Sequence, residues 1–328
     1  MNRVEEYYDE HHENEWQRLE IHRVEYGITL RALEEYLPVL PASVVDVGGA
    51  CGRYAIELAR RGYLTTIVDL SSRCLDMARK QASMAGVELA GYIHTDAREL
   101  SGFNDESTDA VLIMGPLYHL LDHQDRLKAV QEAWRILKPG GLVFASFICK
   151  HSVVQWAAVD NPEYVRDYSQ ELDNILKTGV HRREDGSTGF IDAWFAHPTE
   201  IPTLMAEAGF EQIDMLACEP LVNEIESRIN ETEPELHKVW INLLYQIAKD
   251  PTIHGAAGHL LYVQFRPGHS PDRSQFVQRF AVMPRVFSSV PKNPSNQAVS
   301  SKIFKLCCDL PKKNGRCVPA RLVVKRQL

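Results

Sequence analysis

The sequence has no apolar run close to the roughly 20 residues that a helix needs to cross a lipid bilayer. Its first residues, 1–20, lack the basic, apolar and small-residue succession of a secretory signal. Seven cysteines are scattered along the 328 residues, and an odd number argues against a closed set of disulfides. These absences favour a cytoplasmic protein that has no membrane partner.

The sequence also lacks a complete set of metal ligands, so no metal site is expected. Cys307, Cys308 and Cys317 lie close together, but no histidine follows His269 to provide a fourth ligand. The adjacent histidines near the N-terminus would point to different sides of a helix.

Basic residues are scarce in most of the chain and concentrated in its last part. Residues 268–328 contain 12 Lys+Arg and 2 Asp+Glu, a net charge of +10, while the whole chain carries −8. Residues 1–267 therefore carry about −18, and such an acidic body repels phosphate backbones. We expect no nucleic-acid partner, and we expect 268–328 to be a largely disordered extension because it is rich in Pro, Ser, Asn and Lys.

Helical periodicity opens the chain and is followed by alternating strand and helix signals. Apolar residues from Trp16 to Leu37 fall on one face of a predicted helix, which Pro38 ends, so 1–41 is assigned to an N-terminal helical segment. The alternation predicts a parallel sheet within a domain at 42–267. The predicted strands are Ser43–Val47, Leu64–Leu70, Tyr92–Thr95, Ala110–Met114, Leu142–Ile148, Phe210–Cys218 and His259–Phe265.

Two stretches interrupt this regularity. Residues 150–196 carry many aromatic side chains, and residues 221–248 are predicted to be helical. We expect the two insertions to form a helical cap over an apolar site.

The most informative segment runs from Val44 to Tyr54, where an apolar strand enters a glycine turn and then a helix. Glycines allow a ligand to approach the backbone closely, and the helix N-terminus presents free N–H groups. A dinucleotide fingerprint would require glycine at positions 50 and 53, which are Ala50 and Arg53. The acid before the turn, Asp46, can instead orient the turn and approach the cationic end of a ligand.

This segment resembles the glycine motif of the class I S-adenosylmethionine-dependent methyltransferases, and the resemblance extends over most of 44–265. An acid ends the second strand at Asp69, another follows the third strand at Asp96, and a Leu-Lys-Pro-Gly-Gly segment at 137–141 precedes the fifth strand. The resemblance implies a Rossmann-like α/β fold. It has a seven-stranded, mostly parallel sheet with a reversed last strand, helices on both faces and a helical cap.

The resemblance also implies a cofactor, S-adenosyl-L-methionine, and a set of residues that hold it. In this family Asp69 would take the ribose hydroxyls, Asp96 the adenine amino group, and Met114 would border the methionine end. A tyrosine of the N-terminal helix can close that end. The predicted cofactor-binding residues are Tyr8, Asp46, Gly48, Gly49, Ala50, Gly52, Asp69, Leu70, Asp96, Ala97, Met114 and Gly115.

Methyl transfer needs alignment and a dry site, and needs a base only for a weak, neutral nucleophile. His119 and His197 are the candidate bases, because histidine titrates near neutral pH. Each can equally be a buried histidine with a purely structural role. Tyr118, Trp156 and Trp194 are predicted to contact the acceptor.

The sequence thus predicts a methyltransferase that acts on O, N, S or C of a small organic acceptor, as a monomer or homodimer. Two alternatives remain at this stage. One is an NAD(P)-dependent oxidoreductase on a related Rossmann sheet, which the failed dinucleotide spacing disfavours. The other is a module that binds S-adenosylmethionine without catalysis.

Overall fold

A computed structural model describes residues 3–183 and 190–268. The predicted extension at 268–328 lies outside these residues, apart from Gly268. The strands are β1 (Ser43–Val47), β2 (Leu64–Asp69), β3 (Gly91–His94), β4 (Thr108–Ile113), β5 (Leu137–Ile148), β6 (Val180–His181), β7 (Ala193–Trp194), β8 (Glu211–Ala217) and β9 (His259–Phe265). The helices are α1 (Arg3–Ile21), α2 (Arg23–Tyr36), α3 (Arg53–Arg60), α4 (Ser72–Ala85), α5 (Pro116–His119), α6 (His123–Ile136), α7 (Ser152–Asp160), α8 (Tyr164–Asp167), α9 (Ser169–Thr178), α10 (Ile201–Glu207), α11 (Ser227–Asn230) and α12 (Pro234–Ala248).

Seven strands form the main sheet in the order β3-β2-β1-β4-β5-β9-β8. The first five of these pair in parallel, whereas β9 runs antiparallel to both β5 and β8. The predicted sheet with its reversed last strand is therefore confirmed. The order of the strands reverses between β1 and β4, which is where open α/β sheets bind ligands.

Alternate residues of the central strands face two separate cores. On β1, Val44 packs into a core that α2 and α12 cover, while Val45 and Val47 face a core covered by α6 and α10. Strands buried on both faces explain the continuous apolar runs in the sequence. In the described ranges, no helix combines the length and apolar character that crossing a membrane requires.

The first helical stretch differs from the prediction of a single helix from Trp16 to Leu37. It consists of α1 and α2, and α2 begins after His22. The imidazole Nδ1 of His22 lies 2.5 Å from an oxygen of the Glu226 carboxylate. This contact between residues far apart in the sequence holds the break between α1 and α2 in place, and the local periodicity of the sequence could not reveal it.

The two insertions adopt less uniform structures than a helical cap. The first contains α7, α8 and α9 and also the short ribbon β6–β7. The second contains α11 and α12, and both helices contact α2.

Candidate functional site

A cavity of about 260 Å³ opens at the carboxyl ends of the parallel strands. Its walls are the turns that follow β1, β2, β3 and β4, together with one side of α1. Most of the predicted cofactor residues line it, namely Tyr8, Asp46, Gly48, Gly49, Ala50, Asp69, Leu70, Asp96, Ala97, Met114 and Gly115. Gly52, the N-cap of α3, belongs to the same turn.

The glycine turn brings backbone close to the end of β4. Gly48 has φ +68°, and a Cβ there would lie 2.4 Å from the Pro116 side chain. Ala50 also has a positive φ, 47°, which is uncommon for a residue with a side chain. Its N–H donates to the Asp69 carboxylate over 2.7 Å. Asp69 therefore holds the turn in its left-handed conformation and compensates for the missing middle glycine.

Asp69 ends β2 and is 8% exposed. Its two oxygens accept hydrogen bonds from the backbone N–H groups of Ala50 and Ser71, over 2.7 and 2.8 Å. Burial raises the pKa of Asp69 to about 6, although these two bonds oppose the rise. Each carboxylate oxygen keeps a further lone pair, so the group can still accept hydrogen bonds from a diol.

Asp46 is 2% exposed, and its Oδ2 atom has no hydrogen-bond partner. Burial, followed by the nearby Asp69 charge, raises the pKa of Asp46 to about 7. A buried carboxylate oxygen without a partner is costly. It is satisfied when a cationic or hydrogen-donating ligand group enters the cavity, so the residues present fit the cofactor that the sequence implies.

The raised pKa of Asp46 predicts that Asp46→Asn stabilises the protein when no cofactor is bound. In the folded chain the Asp46 carboxyl keeps its proton up to about pH 7, whereas the unfolded chain loses it near pH 4. The stability that protonation of Asp46 contributes is therefore lost as the pH rises from about 4 to 7. We expect the variant to gain roughly 1 kcal/mol at about pH 8, or a Tm about 2–4 °C higher, with a smaller gain at about pH 5. Thermal unfolding at the two pH values measures this, and an equal gain at both would contradict it.

Asp96 follows β3 and lines the cavity. Both of its oxygens accept hydrogen bonds from the Arg98 guanidinium, over 2.9 and 2.7 Å. Burial opposes ionisation, but the hydrogen bonds from Arg98 lower the pKa of Asp96. Arg98, which also bonds Asp125, is a cavity residue that the sequence reasoning missed, although its spacing of two from Asp96 was visible.

Helix α1 forms the remaining wall, and it contributes charged side chains that were not predicted. Glu15 and Arg18 line the cavity together with Tyr8. Arg18 donates two hydrogen bonds to Glu25, over 2.7 and 3.1 Å, and a third to Glu15 over 3.2 Å. Burial disfavours the charge of Glu25, but Arg18 and then His259 lower its pKa to about 2.

Glu25 also belongs to a cluster that sequence spacing did not reveal. Possible metal-ligand atoms lie within 4.8 Å of one another in this cluster, which consists of Glu25, Glu219 and His259. The Nδ1 atom of His259 is 2.8 Å from the Glu219 carboxylate. Burial opposes the positive charge of His259, but Glu25 and Glu219 raise the pKa of His259 to about 9. An imidazolium between two carboxylates, with Arg18 also on Glu25, accounts for this group as an ion-pair network.

His119 and Tyr118 end the short helix α5, and both line the cavity. The His119 Nε2 atom lies 2.7 Å from the Tyr8 hydroxyl, and Nδ1 lies 3.0 Å from the carbonyl oxygen of Asp192. Burial lowers the pKa of His119 to about 4, so the ring is neutral at pH 7. The Tyr118 hydroxyl donates to the Met114 carbonyl over 3.4 Å.

Besides Gly52, three predicted site residues are not among those that line the cavity. His197 bonds the Thr199 hydroxyl over 2.8 Å, and Trp156 packs on Tyr164 in the first insertion. Trp194 is 7% exposed in the core. Contact of these residues with the acceptor therefore stays a prediction. The first insertion does reach the cavity wall, since Phe190 and Asp192 contact His119.

Comparison with known proteins agrees with this geometry. Residues 44–141 match the model of a methyltransferase domain family. The chain is 30% identical over 125 residues to the tRNA 5-carboxymethoxyuridine methyltransferase of Escherichia coli strain K12. These aligned residues make up 38% of this chain and 47% of that enzyme. The chain thus spans about half the length of that relative.

Two further proteins extend the comparison. The ubiquinone biosynthesis O-methyltransferase of Saccharophagus degradans is 27% identical over 183 residues, 56% of this chain and 69% of that enzyme. An S-adenosylmethionine-dependent methyltransferase structure from Methanosarcina mazei shares the fold, with a TM-score of 0.51, 20% identity, and coverage of 73% of this chain and 98% of that one. In its glycine motif, its sheet and the family match over residues 44–141, the chain is similar to the class I S-adenosylmethionine-dependent methyltransferases.

Proposed function

We propose that this protein transfers a methyl group from S-adenosylmethionine to a small, uncharged organic acceptor. The observation that carries the proposal is the cavity at the strand ends, where Asp46 keeps an unpartnered buried oxygen beside the glycine turn. When bound, S-adenosylmethionine supplies an activated methyl group on a sulfonium centre.

The proposed roles of the chain's own residues are those that the family resemblance implies. Asp69 would accept hydrogen bonds from the ribose hydroxyls, and Ala97 would pack on the adenine ring beside Asp96. Asp46, Met114 and the glycine turn would receive the methionine end. Helix α1 forms one wall of the cavity. A wall that reduces the access of water would favour a displacement reaction at a sulfonium.

The charges around the cavity support an acceptor without negative charge. Every arginine that lines the cavity is already paired with a carboxylate, in the pairs Arg18–Glu25, Arg53–Glu20 and Arg98–Asp96. No lysine is present among the described residues that line the cavity. A phosphate-bearing acceptor would therefore displace existing ion pairs, whereas an uncharged molecule would leave them intact.

A nucleic-acid acceptor is the second candidate, because one relative is named a tRNA methyltransferase. The net charge of about −18 on residues 1–267 disfavours it, since phosphate contacts supply most of the affinity for nucleic acids. We favour the small acceptor for this reason, and we expect the protein to act in the cytoplasm as a monomer or homodimer.

A transfer assay tests the proposal. The full chain is incubated with S-adenosylmethionine and with separate panels of uncharged alcohols, phenols and amines, organic phosphates, and bulk tRNA, and S-adenosylhomocysteine is measured. We expect turnover with uncharged molecules and background rates with phosphates and tRNA. Turnover with tRNA alone would contradict the proposed acceptor class, and binding of NADH in place of S-adenosylmethionine would favour the oxidoreductase.

A further inference from the structure

The protonation of His119 can be read from its two hydrogen bonds. A backbone carbonyl only accepts, so the Nδ1 atom of His119 carries the hydrogen that it donates to Asp192. A neutral imidazole then has a lone pair on Nε2. The Tyr8 hydroxyl, 2.7 Å away, must therefore donate to that lone pair. His119 thus presents a fixed hydrogen-bond acceptor to the cavity.

The ring of His119 has little freedom to turn away. The rings of Tyr118 and Phe190 lie against it, with centroids 4.7 and 5.7 Å from its own. Asp192 lies just before β7. Its side-chain carboxylate accepts a hydrogen bond from the backbone N–H of Arg183 over 2.8 Å, which holds this segment in place. Orientation and tautomer are therefore set before any ligand binds, as a catalytic base requires.

The partner that now occupies the lone pair is a phenolic hydroxyl. Tyr8 lies on α1, which lines the cavity and is not a continuous helix, because His11 has φ −110° and ψ 16°. His11 therefore separates the turn that carries Tyr8 from the turn that carries Arg18, whose ion pairs with Glu15 and Glu25 lie farther along the helix. A ligand hydroxyl in the place of the Tyr8 hydroxyl would make the same hydrogen bond to His119.

We infer that the methyl acceptor is a hydroxyl compound, an alcohol or a phenol, whose O–H replaces the Tyr8 hydroxyl on His119. This inference rests on the proposed function. The acceptor oxygen forms a bond to the methyl carbon while the carbon–sulfur bond breaks and its electron pair stays on sulfur, which becomes a neutral thioether. The hydroxyl proton passes to Nε2 of His119. The resulting imidazolium keeps its Nδ1–H bond to Asp192 and later releases the proton to water.

Substitution of His119 tests the base. With an alcohol or weakly acidic phenol, we expect His119→Gln to lower kcat at least about 100-fold, because general-base catalysis is worth that much. Affinity for S-adenosylhomocysteine should change less than about threefold. A nitrophenol that the parent protein methylates and that is already ionised at mildly alkaline pH needs no base. Its turnover by His119→Gln should therefore lie within about tenfold of the parent rate for the same compound.

Substitution of Tyr8 tests the shared hydrogen-bond position, with its neighbour as the matched control. Tyr8→Phe removes the competing hydroxyl, so kcat/KM for the hydroxyl acceptor should rise several-fold. Tyr7→Phe, on a ring that stacks on His11 and does not line the cavity, should leave it unchanged. Equal kcat loss for ionised and un-ionised phenols in His119→Gln would overturn the inference, as would turnover of amines alone. Failure of the parent protein to bind S-adenosylhomocysteine would instead overturn the proposed function.

Discussion

Asp69→Ala is expected to lose about 100- to 1,000-fold of its affinity for S-adenosylhomocysteine, as measured by calorimetric titration. The carboxylate is placed to accept two ribose hydroxyls, and a hydrogen bond to a charged group contributes about 1.5–3 kcal/mol. The substitution also frees the N–H of Ala50, whose positive φ depends on that bond. Both losses act on the same cavity wall.

The control for this variant lies on the helix that begins just after Asp69. Asp76→Ala, on the exposed side of α4, removes a carboxylate whose partner is the surface residue Arg79. Its affinity should match that of the parent protein. If Asp69→Ala retained the affinity of Asp76→Ala, Asp69 would not hold the ribose, and the position of the cofactor in the cavity would be wrong.

Arg18→Met is expected to lower the free energy of unfolding by about 2–3 kcal/mol. Removing one member of a buried ion pair leaves the other charge uncompensated and costs about 3–5 kcal/mol. Because the Arg18 side chain is 29% exposed, we expect the loss of stability to lie near or below about 3 kcal/mol, the lower end of this range. The remaining partner, Glu25, would keep the more distant His259, whose Nδ1 atom lies 3.8 Å from its carboxylate. Urea denaturation measures the change.

Arg79→Met provides the matched comparison, because the Arg79–Asp76 pair lies on the surface with side chains 51% and 77% exposed. Surface pairs contribute about 0–1 kcal/mol, so this variant should unfold almost like the parent protein. Similar values for Arg18→Met and Arg79→Met would show that the network around Glu25 does not hold α1 in place.

The sheet could be predicted because its signals are local. The bounds of β1 and β9 match the predicted strands residue for residue, since apolar runs bounded by glycine or polar residues mark both. The signals that bound helix α4 are equally local. Ser71 caps its first turn by accepting from the Cys74 N–H, and Gly86 ends it in a left-handed conformation.

The residues predicted to hold the cofactor could be placed in one cavity for a different reason. They follow the ends of neighbouring parallel strands, and topology brings those ends together whatever the intervening sequence. Ala50 shows the limit of this reasoning. Its effect on the turn depends on a hydrogen bond from its N–H to Asp69, 19 residues away, which no local pattern contains.

The acceptor side depends on long-range contacts that no local pattern contains. Trp194, which was predicted to contact the acceptor, packs in the core with Arg126 over its ring at 3.8 Å, and its contact with an acceptor stays a prediction. Arg18 was overlooked because a charged residue on an amphipathic helix normally faces solvent. Its contact with Glu25 depends on the turn between α1 and α2, which the contact between His22 and Glu226 fixes.

Calorimetric titration of the intact protein with S-adenosylmethionine and S-adenosylhomocysteine tests the central claim most directly. The account predicts one site per chain, with affinity in the micromolar range at about pH 7.5. It also predicts weaker binding as the pH falls below about 6, where Asp69 becomes protonated and donates instead of accepting. Absence of binding to either compound by the folded protein would contradict the assignment of this cavity to S-adenosylmethionine and, with it, the proposed methyl transfer.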